Sequence, residues 1–126
     1  MLTWLLLGTA LYMLAAFTPS LFLIGAIGLG RYLGSRDDEG TPSPVHGRVK
    51  RAQDNLRENY PVFMALGILA LIVPEVEMAM ATTGAMVFVL ARLAYLPLYA
   101  LAVPVVRSGV FLVGWGGMAM MGLALI

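Results

Sequence analysis

The chain of 126 residues is 60% hydrophobic and only 12% charged, with a mean hydropathy of +0.88. A soluble domain carries about 25% charged residues, so the composition excludes an ordinary soluble globule and reads as an all-α integral membrane protein of one domain. The absence of cysteine excludes disulfides and thiolate metal sites, and a formal net charge of +1 gives no argument for a nucleic-acid partner.

The first apolar block runs from Leu2 to about Leu29 without a charge. It lacks a basic n-region and exceeds the roughly 7–15-residue core of a signal peptide. It therefore reads as a membrane helix over about residues 2–30, with Pro19 as a kink point. The loop RDDEGTPSP at 36–44 follows. A second helix is expected over about 46–73. Its apolar part, Tyr60 to Val73, is too short alone for the roughly 20 residues of a span. Its first half lies in RVKRAQDNLRENYPVF at 48–63, which holds six charged residues.

At about 100° per residue, Arg48, Arg51, Asn55 and Glu58 form one continuous stripe on that helix, while Lys50 and Arg57 point elsewhere and can snorkel to headgroups. Pro61 removes a helical hydrogen bond where polar meets apolar, which predicts a bend there. Polar groups at membrane depth are turned into a bundle interior or a wet cavity. The alternative is a helix end reaching into the cytoplasm with its charges solvated, and spacing alone does not separate the two.

A short connector, PEVE at 74–77, leads to a third helix over about 77–103. There ARLAYLPLY places Arg92, Tyr95 and Tyr99 on one helical face. Two tyrosines at this spacing fit an interfacial belt as well as a site, but an Arg inside an apolar helix needs a partner or an anion. A fourth helix over about 105–126 begins near Arg107 and Ser108 and holds no carboxylate.

Six of the eight basic residues lie between Arg31 and Arg57, whereas the second connector has only Glu75 and Glu77. The positive-inside rule therefore puts the long loop in the cytoplasm and both termini on the opposite face. The polar groups of helices two, three and four then converge at one depth.

RAQDNLRENYPVF resembles the helix-two signature of the membrane-associated proteins in eicosanoid and glutathione metabolism, the MAPEG family, and is closest in spacing to the leukotriene-conjugating branch. ARLAYLPLY and RSGVF resemble the family's third helix and the start of its fourth. The resemblance covers the whole chain and implies a homotrimer of four-helix protomers, with glutathione bound between neighbours near the cytoplasmic leaflet. It makes Arg51, Asn55, Glu58, Arg92, Tyr95 and Tyr99 glutathione contacts, with Ser108 beside them. Arg107 corresponds to the arginine that stabilises the thiolate. Arg31, by its distance from Arg51, corresponds to an arginine from the adjacent subunit. In the prostaglandin E synthase branch a Tyr stands where this chain has Phe111, so that hydroxyl is missing here.

The chemistry agrees with these residue types. Arginine binds carboxylates bidentately, Glu58 suits the glutathione amine, and a cation beside a thiol favours its thiolate. His46, between Pro44 and Gly47, reads as a solvated loop residue rather than a general base. The nine Met residues read as adaptable packing rather than a metal site, and GWGG at 114–117 as a close-packing segment. The expected function is a glutathione transferase, with peroxidase activity as a variant, acting on lipophilic electrophiles from the bilayer. The alternative is a non-catalytic lipid-binding protein of the same fold. A channel or transporter subunit has no supporting motif. The minimal loops suggest a bacterial inner membrane.

Overall fold

The computed structural model describes residues 1–35 and 43–126, which form helices α1 (Leu2–Ile27), α2 (Leu29–Tyr32), α3 (Pro44–Ile72), α4 (Met78–Ala100) and α5 (Pro104–Leu123). No strand occurs among the described residues. Most of the loop expected at 36–44, Arg36 included, lies outside them. Helices α1, α4 and α5 are each long and apolar enough to cross a membrane. The sequence reading expects four spans. The helix that falls outside this group is α3, because its N-terminal half carries the charged block, although at 29 residues it is the longest.

Three helix ends differ from expectation, each for a local reason. Gly28 adopts φ +83° and breaks the first helix. Glycine enters this region without a Cβ clash, so Arg31 sits on the separate short α2 rather than at the end of α1. Ser43 caps α3, its Oγ accepting from the backbone N–H of His46 at 3.2 Å, with Pro44 in the first turn. His46 therefore belongs to the first turn of α3 and is half-buried, not in a loop. At the far end of α4, Ala102 takes φ 59° and Pro104 opens α5, so α4 stops at Ala100 and not at 103.

Four helices share one core. Leu5 and Ala15 from α1 meet Leu56 and Phe63 from α3, Phe88 and Val89 from α4, and Met118 and Met121 from α5. The rings of Phe63 and Phe88 stack with centroids 4.4 Å apart. The closest approach is between α4 and α5. A Cβ on Gly84 would lie 2.5 Å from the carbonyl oxygen of Gly117, and one on Gly117 would lie 2.6 Å from that of Gly84 and 2.8 Å from the Phe88 nitrogen. Within GWGG, then, Gly117 permits the contact. Gly116 faces open space and Trp115 is exposed.

The ends of the molecule are tied differently. At one end Met1, Val76 and Ala124 pack together, and the Glu77 N–H donates to the Ala124 carbonyl at 3.1 Å. Both termini and the α3–α4 connector thus share that end. At the other, Arg48 Nε donates to the Ala100 carbonyl at 2.9 Å and joins the start of α3 to the end of α4. Large apolar side chains such as Leu14, Phe17, Leu21 and Leu112 face outward, as lipid-facing surfaces do.

Gly117→Ala should destabilise the protein, since the added methyl meets backbone on α4 that cannot rotate away. Overpacking of this kind costs about 1–3 kcal/mol. Gly116→Ala, which meets nothing within 4 Å, serves as the control and should unfold in detergent no earlier than the parent. Equal thermal midpoints for the two variants would contradict the backbone contact.

Candidate functional site

The charged block of α3 resolves into two edges. On a helical projection Arg48 and Asn55 lie about 20° apart, while Arg51 and Glu58 lie about 60° and 80° further round. The first edge faces α4 and the second faces outward: Arg51 and Glu58 are exposed, as is Arg57. Lys50 and Asp54 form an exposed i,i+4 ion pair at 3.1 Å. Asp54, Arg57 and Glu58 line a polar surface hollow of about 440 Å3.

On the inward edge Asn55 meets α4. Its Oδ1 accepts from Arg92 Nη1 at 2.8 Å. Arg92 is 1% exposed. Its guanidinium carbon lies 5.2, 5.5 and 5.1 Å from the ring centroids of Phe88, Tyr95 and Phe111, distances at which a cation is attracted to an aromatic face. Arg92 Nε and Nη2 are buried without a hydrogen-bond partner.

Asn59, one turn on from Asn55, is also buried, and its Nδ2 donates to the Asn55 carbonyl at 2.6 Å. The sequence reading passed over Asn59, although its +4 spacing from Asn55 is the same signal that marked the rest of the stripe. Tyr60 is a second omission. Its hydroxyl is 2.8 Å from Thr9 Oγ1, and its ring stacks on Tyr12 with centroids 4.3 Å apart, joining α1 to α3.

Where α3, α4 and α5 meet there is a cavity of about 360 Å3, lined by Asn55, Tyr95, Tyr99, Arg107, Ser108, Phe111 and Leu112. The Arg107 guanidinium carbon stands 4.4 Å from the centroid of the Tyr99 ring, and no carboxylate pairs with Arg107 among the described residues. Ser108 Oγ donates to the Pro104 carbonyl at 3.0 Å within its own helix, leaving its lone pairs available. Tyr95 is buried and packs edge-on to Tyr99, so it does not belong to an interfacial belt.

The structure therefore brings Asn55, Tyr95, Tyr99, Arg107 and Ser108 to one cavity and places Arg92 against the side of Asn55. It leaves Arg51 and Glu58 on the outer edge of α3, and Arg31 exposed on α2. The lining holds a full positive charge and several hydrogen-bonding groups but no carboxylate. Such a site suits an anion or a ligand rich in acceptors.

These features define a helical membrane protein with a cationic cavity where three helices meet. The sequence matches the MAPEG family over residues 1–126, the whole chain, and the protein belongs to that family. The family is associated with glutathione use and includes glutathione transferases and related synthases, together with members that are not transferases. No curated protein matches the chain.

Proposed function

We propose that this protein is a membrane-bound glutathione transferase that works as a homotrimer. The observation that carries the reading is the cavity of Asn55, Tyr95, Tyr99, Arg107 and Ser108, cationic and free of carboxylates, in a chain of a glutathione-using family. Glutathione offers two carboxylates, an ammonium and a thiol. Arg51 pairs with a carboxylate, Glu58 takes the ammonium, and Asn55 with the tyrosines holds the peptide. Arg107 stays beside the sulfur, where its charge favours the thiolate over the thiol. The thiol proton leaves to solvent, the sulfur forms a bond to an electrophilic carbon, and the leaving group departs with its electron pair. Arg107 moves no proton in this scheme. It stabilises the anion that attacks.

The outer edge of α3 supports the trimer. Arg51 and Glu58 are exposed on the outer edge of α3, and ionised groups at membrane depth are costly unless covered. A neighbouring copy supplies the cover, and Arg31 on its α2 completes the site from the other side. Basic residues concentrated between 31 and 57 favour the cytoplasmic leaflet for this end of the protein, within reach of cytosolic glutathione and membrane-dissolved electrophiles. An inner bacterial membrane suits the minimal connectors.

The first test concerns assembly: cross-linking in mild detergent should give a ladder ending at trimer, and a ladder that stops at monomer refutes the assembly. The second removes a binding group. Glu58→Ala should weaken glutathione binding by roughly tenfold to a hundredfold, the usual loss for a charge-assisted hydrogen bond, and an unchanged Kd takes Glu58 out of the site. The third concerns ionisation. Arg107→Ala should still bind glutathione but lose much of the thiolate absorbance near neutral pH, with slower turnover of an aryl halide. Arg107→Lys should recover part of the charge effect without the fork geometry. If the alanine variant keeps the parent's thiolate signal, Arg107 is a lipid anchor. A parent that shows no thiolate signal with glutathione favours the non-catalytic, lipid-binding reading.

A further inference from the structure

We infer that Arg92 is a positioning residue that fixes the polarity of the Asn55 amide, so that Asn55 turns its NH2 donor to the cavity. This rests on the glutathione reading for its ligand, but its geometry is independent of it. A guanidinium only donates. The Asn55 atom that meets Arg92 Nη1 at 2.8 Å is therefore the carbonyl oxygen, and the amide cannot turn over without setting N–H against N–H. With Oδ1 held by Arg92, the part of the Asn55 side chain left for a ligand in the cavity it lines is its NH2 group. It therefore selects an acceptor, a carboxylate or a peptide carbonyl, at that point.

Arg92 is itself held firmly. It is caged by the rings of Phe88, Tyr95 and Phe111. Gly114 of α5 lies alongside it, where a Cβ would stand at van der Waals contact, 3.5 Å, from Arg92 Nε. Two of the three rings, Tyr95 and Phe111, are also cavity wall, so the cation lies behind that wall rather than in the cavity. This differs from the direct ligand contact that the sequence resemblance gives Arg92. Stability does not account for the residue. Arg92 Nε and Nη2 are buried without partners, and an apolar side chain of similar volume replaces a buried charge without loss in many proteins. Orienting Asn55 does account for it.

The test uses the purified full chain in detergent. Asn55→Asp keeps an acceptor for Arg92 but replaces the outward donor with a carboxylate oxygen. It should unfold no earlier than the parent yet bind glutathione at least roughly tenfold more weakly, because the donor is lost and a carboxylate then faces the ligand's acceptor. Parent-like affinity in Asn55→Asp overturns the inference. Arg92→Met and Asn55→Ala should each weaken binding, and the double variant should be no weaker than Asn55→Ala alone, because Arg92 acts through Asn55. Losses that multiply in the double variant instead assign Arg92 an independent, direct effect. Should Arg92→Met not fold, Arg92→Gln, which can accept as well as donate and so no longer enforces one amide orientation, takes its place in the cycle with the same two outcomes. A parent that does not bind glutathione refutes the transferase reading alone. The Asn55 polarity is then read from its side-chain amide 15N and proton resonances, which should move in Arg92→Met. Resonances that stay put overturn the inference without reference to any ligand.

Discussion

A guanidinium inside an apolar helix has to be answered by what surrounds it, and the junction of α3, α4 and α5 is arranged around that requirement. Arg92 lies in a helix long and apolar enough to cross a membrane, where no water can solvate it cheaply. It is met by one amide oxygen from α3, by aromatic faces from α4 and α5, and by Gly114 of α5 alongside it. Each answer constrains something else. The amide has to be on α3 at this depth, so the polar segment of α3 runs down to Asn55 and beyond. The rings have to stand on either side of the cation, so Tyr95 and Phe111 become walls of the cavity. The cavity is in this sense a by-product of burying Arg92.

The two arginines nearest the cavity are held in opposite ways. Arg92 is sealed and its geometry is fixed by contacts on every side. Arg107 lies near the start of α5, half-buried, with one face on the Tyr99 ring and no acidic partner among the described residues. A cation resting on an aromatic face retains its hydrogen-bond donors, because the attraction uses the ring quadrupole rather than the N–H groups. Arg107 is thus kept in place without being neutralised, which a carboxylate partner would not achieve.

Much of the fold was legible in the sequence because its signals are one-dimensional. Apolar block length marked α1, α4 and α5, and the 3.6-residue period put Arg48, Arg51, Asn55 and Glu58 on one stripe. The period could not say which edge of an 80° stripe faces a neighbour. That depends on how α3 crosses α4, and the crossing is set by Phe63 against Phe88 and by Arg48 reaching the end of α4. Consequently Asn55, which the stripe marks, lines a cavity, whereas Asn59, on the buried side of the same edge, went unnoticed. His46 was misread for a similar reason. A Ser-Pro pair ahead of it is an N-terminal helix signal, but the polar run on either side of it made the segment look like loop. The break at Gly28 depends on a backbone angle that no side-chain pattern encodes.

The outer edge of α3 shows what a single chain leaves undone. Within one protomer three polar groups on the inward edge of α3 have partners: Arg48 at the Ala100 carbonyl, Asn55 at Arg92, Asn59 at the Asn55 carbonyl. Arg51 and Glu58, only a fifth of a turn or so away, have no hydrogen-bond or ion-pair partner among the described residues. An i,i+4 pairing relieves the charges of Lys50 and Asp54 further round the helix, but Arg51 and Glu58 are seven residues apart and too distant along the axis to pair with each other. On the proposed reading their partners arrive from outside, from a second copy and from a ligand that carries both signs of charge. Glutathione has that property, and a neutral lipid does not. On that reading the exposed edge belongs to an occupied, multi-subunit site and not to a groove that merely holds hydrophobic molecules.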